Sequence, residues 1–229
     1  MLKTSYSQLT PDTLELFSDK TRDTILESSL IMFNKRGFND VTTSSIANAT
    51  SILEGSLWYH FNTKKDILSA HIRLLEQIFL NKNQNVDSKK FDTIIHDIFK
   101  SYNIIWDFRY ILRDNFQNLL KDDQNVMDLV IQINKNIDQW VENRIRYSNE
   151  VALLKIPKEE IENLSEVILV LGRYWLDYSE KKYLDVENKS LRLKGLNHIF
   201  LVLKPYINQE ATPIIEYLLN GYQPAFRTN

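Results

Sequence analysis

The sequence predicts an all-α protein, with a three-helix helix-turn-helix domain at the N-terminus and a larger helical bundle after it, about nine to ten helices in total. Three observations support this fold class. Glycine and proline number only five each among 229 residues, so few positions interrupt helices. Apolar residues recur at helical spacing through most segments between those breaks. Long alternating apolar and polar stretches, which are typical of strands, are missing from the sequence.

Capping signals and breaks in the pattern place the helices. The first firm helix is predicted over 20–36, ending at Gly37, which suits a C-terminal cap with positive φ. Thr42 suits the N-cap of the next helix. The run 63–66 has the capping-box pattern, and it should open a helix over about 64–81. The later helices are predicted near 91–107, 109–121, 124–149, 158–181, 187–205 and 211–220.

The chain divides into three predicted parts. Residues 1–18 form a polar N-terminal arm, with a short helix after Pro11. Residues 19–66 form the helix-turn-helix domain. Residues 67–229 form a ligand-binding and dimerisation domain, and the polar run 81–90 is expected to be a loop near its start.

Composition narrows the function classes. The chain has no cysteine, which excludes disulfides and cysteine-ligated metals, and we expect no metal site and no cofactor. No apolar run approaches the roughly 20 residues of a membrane helix, and the N-terminus does not resemble a signal peptide. We therefore expect a cytoplasmic protein without a membrane partner. The net charge is −2, so any affinity for DNA must come from local charge placement and dimeric geometry.

The most informative segment is residues 42–61, TTSSIANATSILEGSLWYHF. It indicates a short helix, a tight turn and a second short helix. Apolar or small residues at Ile46, Ala47, Ile52 and Leu57 have the spacing that lets two crossed helices share a buried seam. The outward positions of the second helix are small, polar or aromatic with a polar edge, which suits a probe helix in a DNA groove. These outward residues are Glu54, Gly55, Ser56, Trp58 and His60.

Two phosphate clamps are expected on either side of the probe helix. Thr42 and Thr43 stand at the start of the first helix, where backbone N–H groups and a hydroxyl can bind a phosphate oxygen. Thr63 and Lys64 repeat this arrangement at the following helix, with a positive charge added. Such clamps would fix the register of the probe helix on DNA. Tyr59 and Phe61 are expected mainly to hold the probe helix against the domain core.

Residues 21–68 resemble the DNA-binding domain of the TetR family of bacterial transcriptional regulators. The motifs that carry the resemblance are Thr21-Arg22-x-x-Ile25-Leu26, Phe33-x-x-x-Gly37-Phe38, Thr42-x-x-x-Ile46-Ala47 and Gly55-Ser56-Leu57-Trp58-Tyr59-His60-Phe61-x-x-Lys64-x-x-x-Leu68. The resemblance implies a homodimer, a C-terminal domain that binds a small molecule, and DNA contacts from the residues matching Ser44, Glu54, Ser56, Trp58, His60 and Lys64. With the clamps, the candidate DNA-binding residues are Thr42, Thr43, Ser44, Glu54, Gly55, Ser56, Trp58, Tyr59, His60, Thr63 and Lys64.

Four positions depart from the family pattern. Ser51 stands where the turn usually has glycine, and Leu53 stands where the probe helix usually has a polar N-cap. The run 51–54 is itself a capping-box pattern, which could start the helix two residues early. Glu54 is an acid where the family is often basic or neutral; it either accepts a hydrogen bond from a base or only caps the helix. Trp58 replaces the usual tyrosine and keeps a donor in a different place.

The C-terminal two thirds are rich in large aromatic residues. Tyr102, Trp106 and Tyr110 are spaced four apart and are expected to line one helical stripe. Such a stripe more often belongs to a core than to a ligand site, although bundles do hold ligands between helices. The candidate ligand-binding residues are His96, Tyr102, Trp106, Tyr110, Trp140 and Trp175.

The helices near 158–181 and 187–205 are the expected dimer pair. In the TetR family the corresponding two helices form a four-helix interface with their copies. Each helix here has an apolar stripe, which either faces the partner or faces its own subunit's core. The candidate interface residues are Ile168, Leu171, Trp175, Leu196, Ile199, Phe200 and Leu203.

The sequence and the resemblance together predict a homodimeric repressor that a small molecule releases from a near-palindromic operator in double-stranded DNA. One alternative is a DNA-binding regulator that a protein partner controls. Another is a helical ligand carrier whose DNA-binding domain has degenerated. No catalytic constellation, phosphate loop or metal-ligand spacing points to an enzyme. The sequence identifies neither the effector nor the operator, and it does not distinguish a repressor from an activator.

Overall fold

The computed structural model describes residues 9–84, 89–113, 123–183 and 188–220. Within these ranges the chain forms α-helices, two short 3-10 turns and one isolated β-bridge, so the all-α prediction is confirmed. The helices are α1 (Pro11–Leu14), α2 (Thr21–Arg36), α3 (Thr43–Ala49), α4 (Glu54–His60), α5 (Lys64–Gln84), α6 (Phe91–Asp107), α7 (Arg109–Leu112), α8 (Gln124–Glu150), α9 (Ile161–Lys182), α10 (Asn188–Leu203) and α11 (Thr212–Asn220).

Most helix ends agree with the sequence prediction, and the exceptions have local causes. Helix α5 continues to Gln84, so the predicted loop begins later than residue 81. Helix α9 begins at Ile161 because a 3-10 turn, Lys158–Glu160, follows Pro157. The predicted helix 109–121 is seen as α7 over its first four residues; its part from 114 onward lies outside the described residues.

Capping residues end and begin the helices as expected. Gly37 has φ +83 and donates its N–H to the Phe33 carbonyl at 2.9 Å, which closes α2 in a conformation that favours glycine. Thr63 and Asp66 form the predicted capping box, with the Thr63 N–H 2.8 Å from the Asp66 carboxylate. Pro11 occupies the first turn of α1, where its missing N–H carries no penalty.

The described residues separate into two compact units. Unit 1 comprises the described parts of 1–80 and 103–135, and unit 2 those of 81–102 and 136–220. The boundaries fall within α5, α6 and α8. The predicted domain limits at 18/19 and 66/67 stay predictions. Among the described residues, no helix is both long enough and apolar enough to cross a bilayer.

Unit 1 has a dense apolar core, which includes Ile25, Leu30, Phe33, Ile46, Leu57, Ile67, Leu68 and Ile72, all essentially inaccessible to solvent. His71 lies within it, beside the Tyr110 hydroxyl at 2.8 Å and the Leu26 carbonyl at 2.9 Å. Desolvation lowers the pKa of His71 to about 4, so this ring is neutral at pH 7.

The described part of the predicted N-terminal arm belongs to unit 1 and packs against the C-terminal end of α6. The backbone N–H and the hydroxyl of Thr10 both donate to the Asp107 carboxylate, each at 2.7 Å. Asn103 donates to Asp12 at 2.7 Å. Residues 9–13 are therefore bound to the end of α6 through polar contacts that the sequence does not reveal, because the partners are more than ninety positions apart.

Unit 2 contains two apolar clusters. The first joins α6, α10 and α11 and has Ile94, Ile95, Phe99, Tyr102, Leu196 and Ile215 among its buried members. The second joins α8, the segment after it and α9, with Ile145, Leu154, Ile156, Ile161 and Ile168. Ile199 and Ile207 pack against both clusters, so these two residues connect them.

Candidate nucleic-acid interface

Helices α3 and α4 cross over a buried seam, as the spacing predicted. Ile46, Ala47 and Leu57 are almost completely buried, and Ile52 is half-buried. The turn between them is closed by backbone hydrogen bonds, of which the one from the Ile52 N–H to the Ala47 carbonyl measures 3.0 Å. The segment is thus a helix-turn-helix, with a probe helix of seven residues.

The turn keeps its shape without the usual glycine. Ser51 has φ +57, the left-handed region in which a residue with a Cβ costs roughly 1–2 kcal/mol. The predicted early start of α4 is wrong: the helix begins at Glu54, and Leu53 is its N-cap, with no side-chain capping bond among the described residues. A serine in the left-handed conformation cannot also serve as the extended N-cap that a capping box requires.

Glu54 has a contact that neither prediction anticipated. The Thr43 hydroxyl donates to a Glu54 carboxylate oxygen at 2.8 Å. This bond joins the first residue of α3 to the first residue of α4. The expectation that Glu54 caps its own helix is therefore wrong, since the carboxylate spans the motif. Base contact by Glu54 stays a prediction.

The first expected phosphate clamp is engaged within the motif. The Thr42 hydroxyl accepts from the Ser45 N–H at 3.1 Å, and the Ser45 hydroxyl accepts from the Thr42 N–H at the same distance. This reciprocal box starts α3. Thr42 is exposed and can still offer its hydroxyl hydrogen, whereas the hydroxyl of Thr43 is donated to Glu54.

The second expected clamp is also engaged. Thr63 is part of its own capping box. The Lys64 ammonium donates to the carbonyls of Phe38 at 2.7 Å and Val41 at 2.8 Å, and it lies 4.5 Å from the centre of the Phe38 ring. Burial is the main cause that lowers the pKa of Lys64. Lys64 therefore fastens the loop between α2 and α3, and phosphate contact by Lys64 stays a prediction.

The outer face of α4 holds the remaining candidates. Gly55 and Ser56 are exposed, as is Ser44 on α3. Trp58 is 48% exposed, and Tyr59 is 87% exposed, so the expectation that Tyr59 packs against the core is wrong.

Two aromatic rings at the C-terminal end of α4 are more sheltered. The half-buried ring of His60 lies 5.2 Å from that of Tyr59. Phe61 alone provides the expected lock: it is buried, and the Arg22 guanidinium lies 5.0 Å from its ring centre.

The candidate ligand residues are distributed over both units, and ligand contact by them stays a prediction. Tyr102 and Tyr110 are not on one helical stripe, because α6 ends at Asp107 and Tyr110 belongs to α7. Trp106 and Tyr110 are buried in unit 1, whereas Tyr102, Trp140 and Trp175 are buried in unit 2. His96 is exposed and contacts the carbonyl of Asp92 at 3.0 Å.

Tyr102 and Trp175 do meet, but they leave no room between them. The Trp175 indole donates to the Leu191 carbonyl at 3.0 Å. A Cβ placed on Gly195 would lie 2.2 Å from the Tyr102 oxygen and 2.3 Å from the Trp175 ring. These aromatics fill a core around a glycine.

A cavity of about 70 Å³ lies elsewhere in unit 2. Eleven of its twelve lining residues are isoleucine, leucine or phenylalanine, and the twelfth is Ser148. The lining contains none of the six candidate ligand residues. Sequence reasoning overlooked these positions because they are ordinary apolar residues spread over more than one hundred positions.

The candidate dimer residues differ in burial. Ile168, Trp175 and Leu196 are buried within their own subunit, so their assignment to an interface is corrected. Leu171, Ile199, Phe200 and Leu203 are half-buried. The exposed apolar residues of these helices are instead Val167, Val170 and Tyr174 on α9 and Leu201 on α10.

The fold and the exposed probe helix define a helix-turn-helix DNA-binding protein. Residues 25–71 match the model for bacterial regulatory proteins of the tetR family, and residues 73–213 match a model described as a bacterial transcriptional repressor. The chain therefore belongs to the TetR family. It is a DNA-binding transcriptional regulator and not an enzyme.

Individual relatives agree with this assignment. The chain is 23% identical over 193 residues to IcaR, the negative transcriptional regulator of the icaADBC biofilm operon in Staphylococcus aureus; the match covers 79% of this chain and 98% of IcaR. A TetR-family regulator from Marinobacter aquaeolei has the same fold, with a TM-score of 0.69, 22% identity, and 90% and 100% coverage. SmeT in complex with triclosan gives a TM-score of 0.56, 13% identity, and 83% and 93% coverage.

Proposed function

We propose that the protein is a homodimeric repressor that binds a near-palindromic operator and leaves it when a small molecule occupies unit 2. The observation that carries the proposal is the intact helix-turn-helix, whose outer face exposes Ser44, Ser56, Trp58 and Tyr59. The TetR family membership supports DNA binding, and the relation to IcaR, a negative regulator, favours repression. A DNA-binding regulator acts where the chromosome lies, which favours the cytoplasm.

The exposed face of α4 favours recognition through shape and polar edges. Ser56 and the Trp58 indole can donate to phosphates or base edges, and Tyr59 can reach the backbone. Cationic side chains beside the motif have protein partners: Lys64 is bound to carbonyls, and Lys65 pairs with Asp123 at 2.8 Å. Phosphate neutralisation supplies most non-specific affinity. We therefore expect weak non-specific binding and a dependence on the paired half-sites of a dimer.

The dimer interface is proposed on the exposed apolar faces of α9 and α10. Val167, Val170 and Tyr174 are spaced by three and four positions, which places them on one face of α9. Leu201 adds an exposed apolar side chain on α10, and the two helices pack against each other. Two such faces related by a two-fold axis would form a four-helix interface. Two probe helices could then enter successive major grooves roughly 34–36 Å apart.

A matched pair of substitutions tests this proposal. Val170→Asp puts a charge at the centre of the proposed interface. Ile131→Asp puts the same charge on an exposed apolar residue of α8, which the proposal leaves outside the interface. Sedimentation should show a dimer for the wild type and for Ile131→Asp, and a monomer for Val170→Asp. A dimer that survives Val170→Asp would refute the proposed interface.

DNA binding is tested on the region upstream of the protein's own gene. Fluorescence anisotropy should show salt-sensitive, sequence-specific binding by the wild type. Val170→Asp should bind at least tenfold more weakly, because each half-site then binds alone. Binding with equal affinity to unrelated DNA would refute the proposal that the protein recognises a specific operator.

Two alternatives are weaker. The carrier with a degenerate DNA-binding domain depended on Ser51, Leu53 and Glu54, but the turn and the crossed helices are intact around all three. Control by a protein partner requires a bundle without a ligand site, and the cavity in unit 2 weighs against it. The complex of the structural neighbour SmeT with triclosan supports control by a small molecule.

A further inference from the structure

The cavity in unit 2 lies at the junction of the two apolar clusters. Ile95, Phe99 and Leu196 in its wall belong to the first cluster, and Leu154 belongs to the second. Its volume of about 70 Å³ is several times the ~10–15 Å³ that a single water requires. The space therefore exceeds an ordinary packing defect between two cores.

Ser148 is the single polar side chain among the lining residues, and it is 1% exposed. Its hydroxyl has no hydrogen-bond partner among the described residues. The backbone carbonyl of Ser148 accepts a hydrogen bond from the Leu154 N–H at 2.9 Å, which fixes the local backbone. The side-chain hydroxyl takes no part in this bond. Buried hydroxyls without partners are rare, because burial removes them from water without compensation.

The cavity is partly open to solvent, and its inner, apolar part is a poor site for water. A buried water usually makes two to four hydrogen bonds, and the lining side chains offer one. A charged ligand is equally disfavoured, because the lining contains no acidic or basic side chain to offset desolvation. The chemistry of the wall fits an apolar molecule with a single hydrogen-bonding group.

We propose that the cavity binds a small neutral organic molecule, with an apolar body and one hydroxyl or carbonyl oxygen that bonds to the Ser148 hydroxyl. This inference rests on the proposed function, since it makes the cavity the effector site of the repressor. The five aromatic residues that the sequence suggested for the ligand keep their place in the cores.

The position of the cavity also couples ligand binding to the proposed dimer interface through α10. Leu196, Ile199, Phe200 and Leu203 of α10 line the cavity, and Leu201 points outward from the same helix. An occupant therefore contacts the helix that carries part of the proposed interface. The ligand can shift the DNA-binding equilibrium only by its different affinity for the two arrangements of that helix.

Phenol and toluene test the polar contact, because they have nearly the same size and differ in the hydroxyl. Their binding to the full chain is measured by ligand-observed NMR titration, with melting curves to confirm that each variant folds. Ser148→Ala should weaken phenol binding about three- to tenfold, the usual net effect of one hydrogen bond, and leave toluene binding unchanged or tighter. Ser165→Ala is the matched control: Ser165 is buried in unit 2, outside the lining, and already donates to the Ile161 carbonyl at 2.7 Å.

Two further measurements fix the site and the ligand class. Ile95→Phe fills the cavity from α6, so it should abolish binding of both probes. Benzoate should bind more weakly than phenol. The inference is overturned if neither probe binds at millimolar concentration, if Ser148→Ala changes both probes equally or neither, if Ile95→Phe leaves binding intact, or if benzoate binds more tightly.

The ligand-site inference and the repressor proposal can be refuted independently of each other. Probe binding is measured without DNA, and operator binding is measured without a probe. Operator binding with no probe binding would overturn the cavity inference and leave the repressor proposal standing. Probe binding that depends on Ser148, without operator binding, would support the ligand site and overturn the repressor proposal.

Discussion

In the helix-turn-helix of unit 1, several polar side chains that were predicted to contact DNA form hydrogen bonds within the protein. Thr42 and Thr63 form capping boxes, Thr43 is bonded to Glu54, and Lys64 is bonded to carbonyls. In unit 2, the cavity wall is almost entirely apolar, yet the Ser148 hydroxyl has no partner within the described part of the chain. The comparison shows that polar residues in a recognisable motif can be structural, and that an inconspicuous residue can be the group available for a ligand.

The largest effect that we predict concerns the aromatic core of unit 2. Gly195→Ala should lower the free energy of unfolding by about 3 kcal/mol or more, because the new methyl group would overlap Tyr102 and Trp175. Gly172→Ala is the control: apart from its chain neighbours and the backbone of its own helical turn, no atom of the described residues lies within 4 Å of its added Cβ. Alanine there should stabilise α9 by ~0.5–1 kcal/mol. Denaturant unfolding compares the two. A Gly195→Ala protein of wild-type stability would mean that Tyr102 and Trp175 can move apart, which would restore them as ligand candidates.

The next effect concerns His71 in the core of unit 1, which contacts the candidate ligand residue Tyr110. The pKa of His71 is about 4 in the folded protein and 6.5 in an unfolded chain, so the unfolded state binds its proton first as the pH falls. Stability from this group is therefore fully present above pH 6.5 and is lost as the pH falls towards 4, by up to about 3 kcal/mol.

Unfolding curves measured between pH 7 and pH 5 check this prediction, in a range where carboxylates contribute little. His71→Gln should flatten the dependence on pH, whereas His96→Gln, at an exposed site, should keep it. An equal slope in wild type and His71→Gln would show that water reaches this core. Tyr110 would then be a candidate for ligand contact again.

A third, smaller effect separates the structural and the DNA-binding roles of Lys64. Lys64→Met keeps the aliphatic chain and removes the bonds to the carbonyls of Phe38 and Val41, so it should destabilise unit 1 by about 1.5–3 kcal/mol. Lys65→Met, at an exposed residue paired with Asp123, should cost less than about 1 kcal/mol. The salt dependence of operator binding should be unchanged in Lys64→Met. A slope of log K against log salt that falls by about 0.9 for each lost contact would show that Lys64 does bind phosphate.

The sequence predicted the fold well where local patterns determine it. Gly37, Thr42 and the box from Thr63 to Asp66 each occupy the predicted cap, since caps depend on neighbours within a few residues. The probe helix was also located correctly, because the TetR motif combines buried and exposed positions at fixed spacing. Its start at Glu54 was missed, because Ser51 adopts the left-handed conformation expected of glycine.

The candidate sites were predictable only in part, for a physical reason. The Lys64 ammonium finds carbonyls more than twenty positions away, and the cavity assembles Ile95, Ser148 and Leu196 from three helices. Such contacts depend on tertiary packing, which periodicity does not encode. The exposed stripe of α9 shows the same limit, because apolar spacing identified the helix but not which of its faces its own subunit covers.

The smallest effect that we predict decides what Glu54 does. A double-mutant cycle of Thr43→Val and Glu54→Met, which removes the acceptor oxygens, should give a coupling energy of about 0.5–1.5 kcal/mol in unfolding measurements, the usual contribution of one hydrogen bond. If the bond only braces α3 against α4, Glu54→Met should alter the affinity for all DNA sequences by a similar factor. A changed preference at one base pair would instead show that Glu54 leaves Thr43 and reads a base when DNA binds. Coupling near zero would remove the brace altogether, and the Thr43 hydroxyl and the Glu54 carboxylate would then both be available for contacts with DNA.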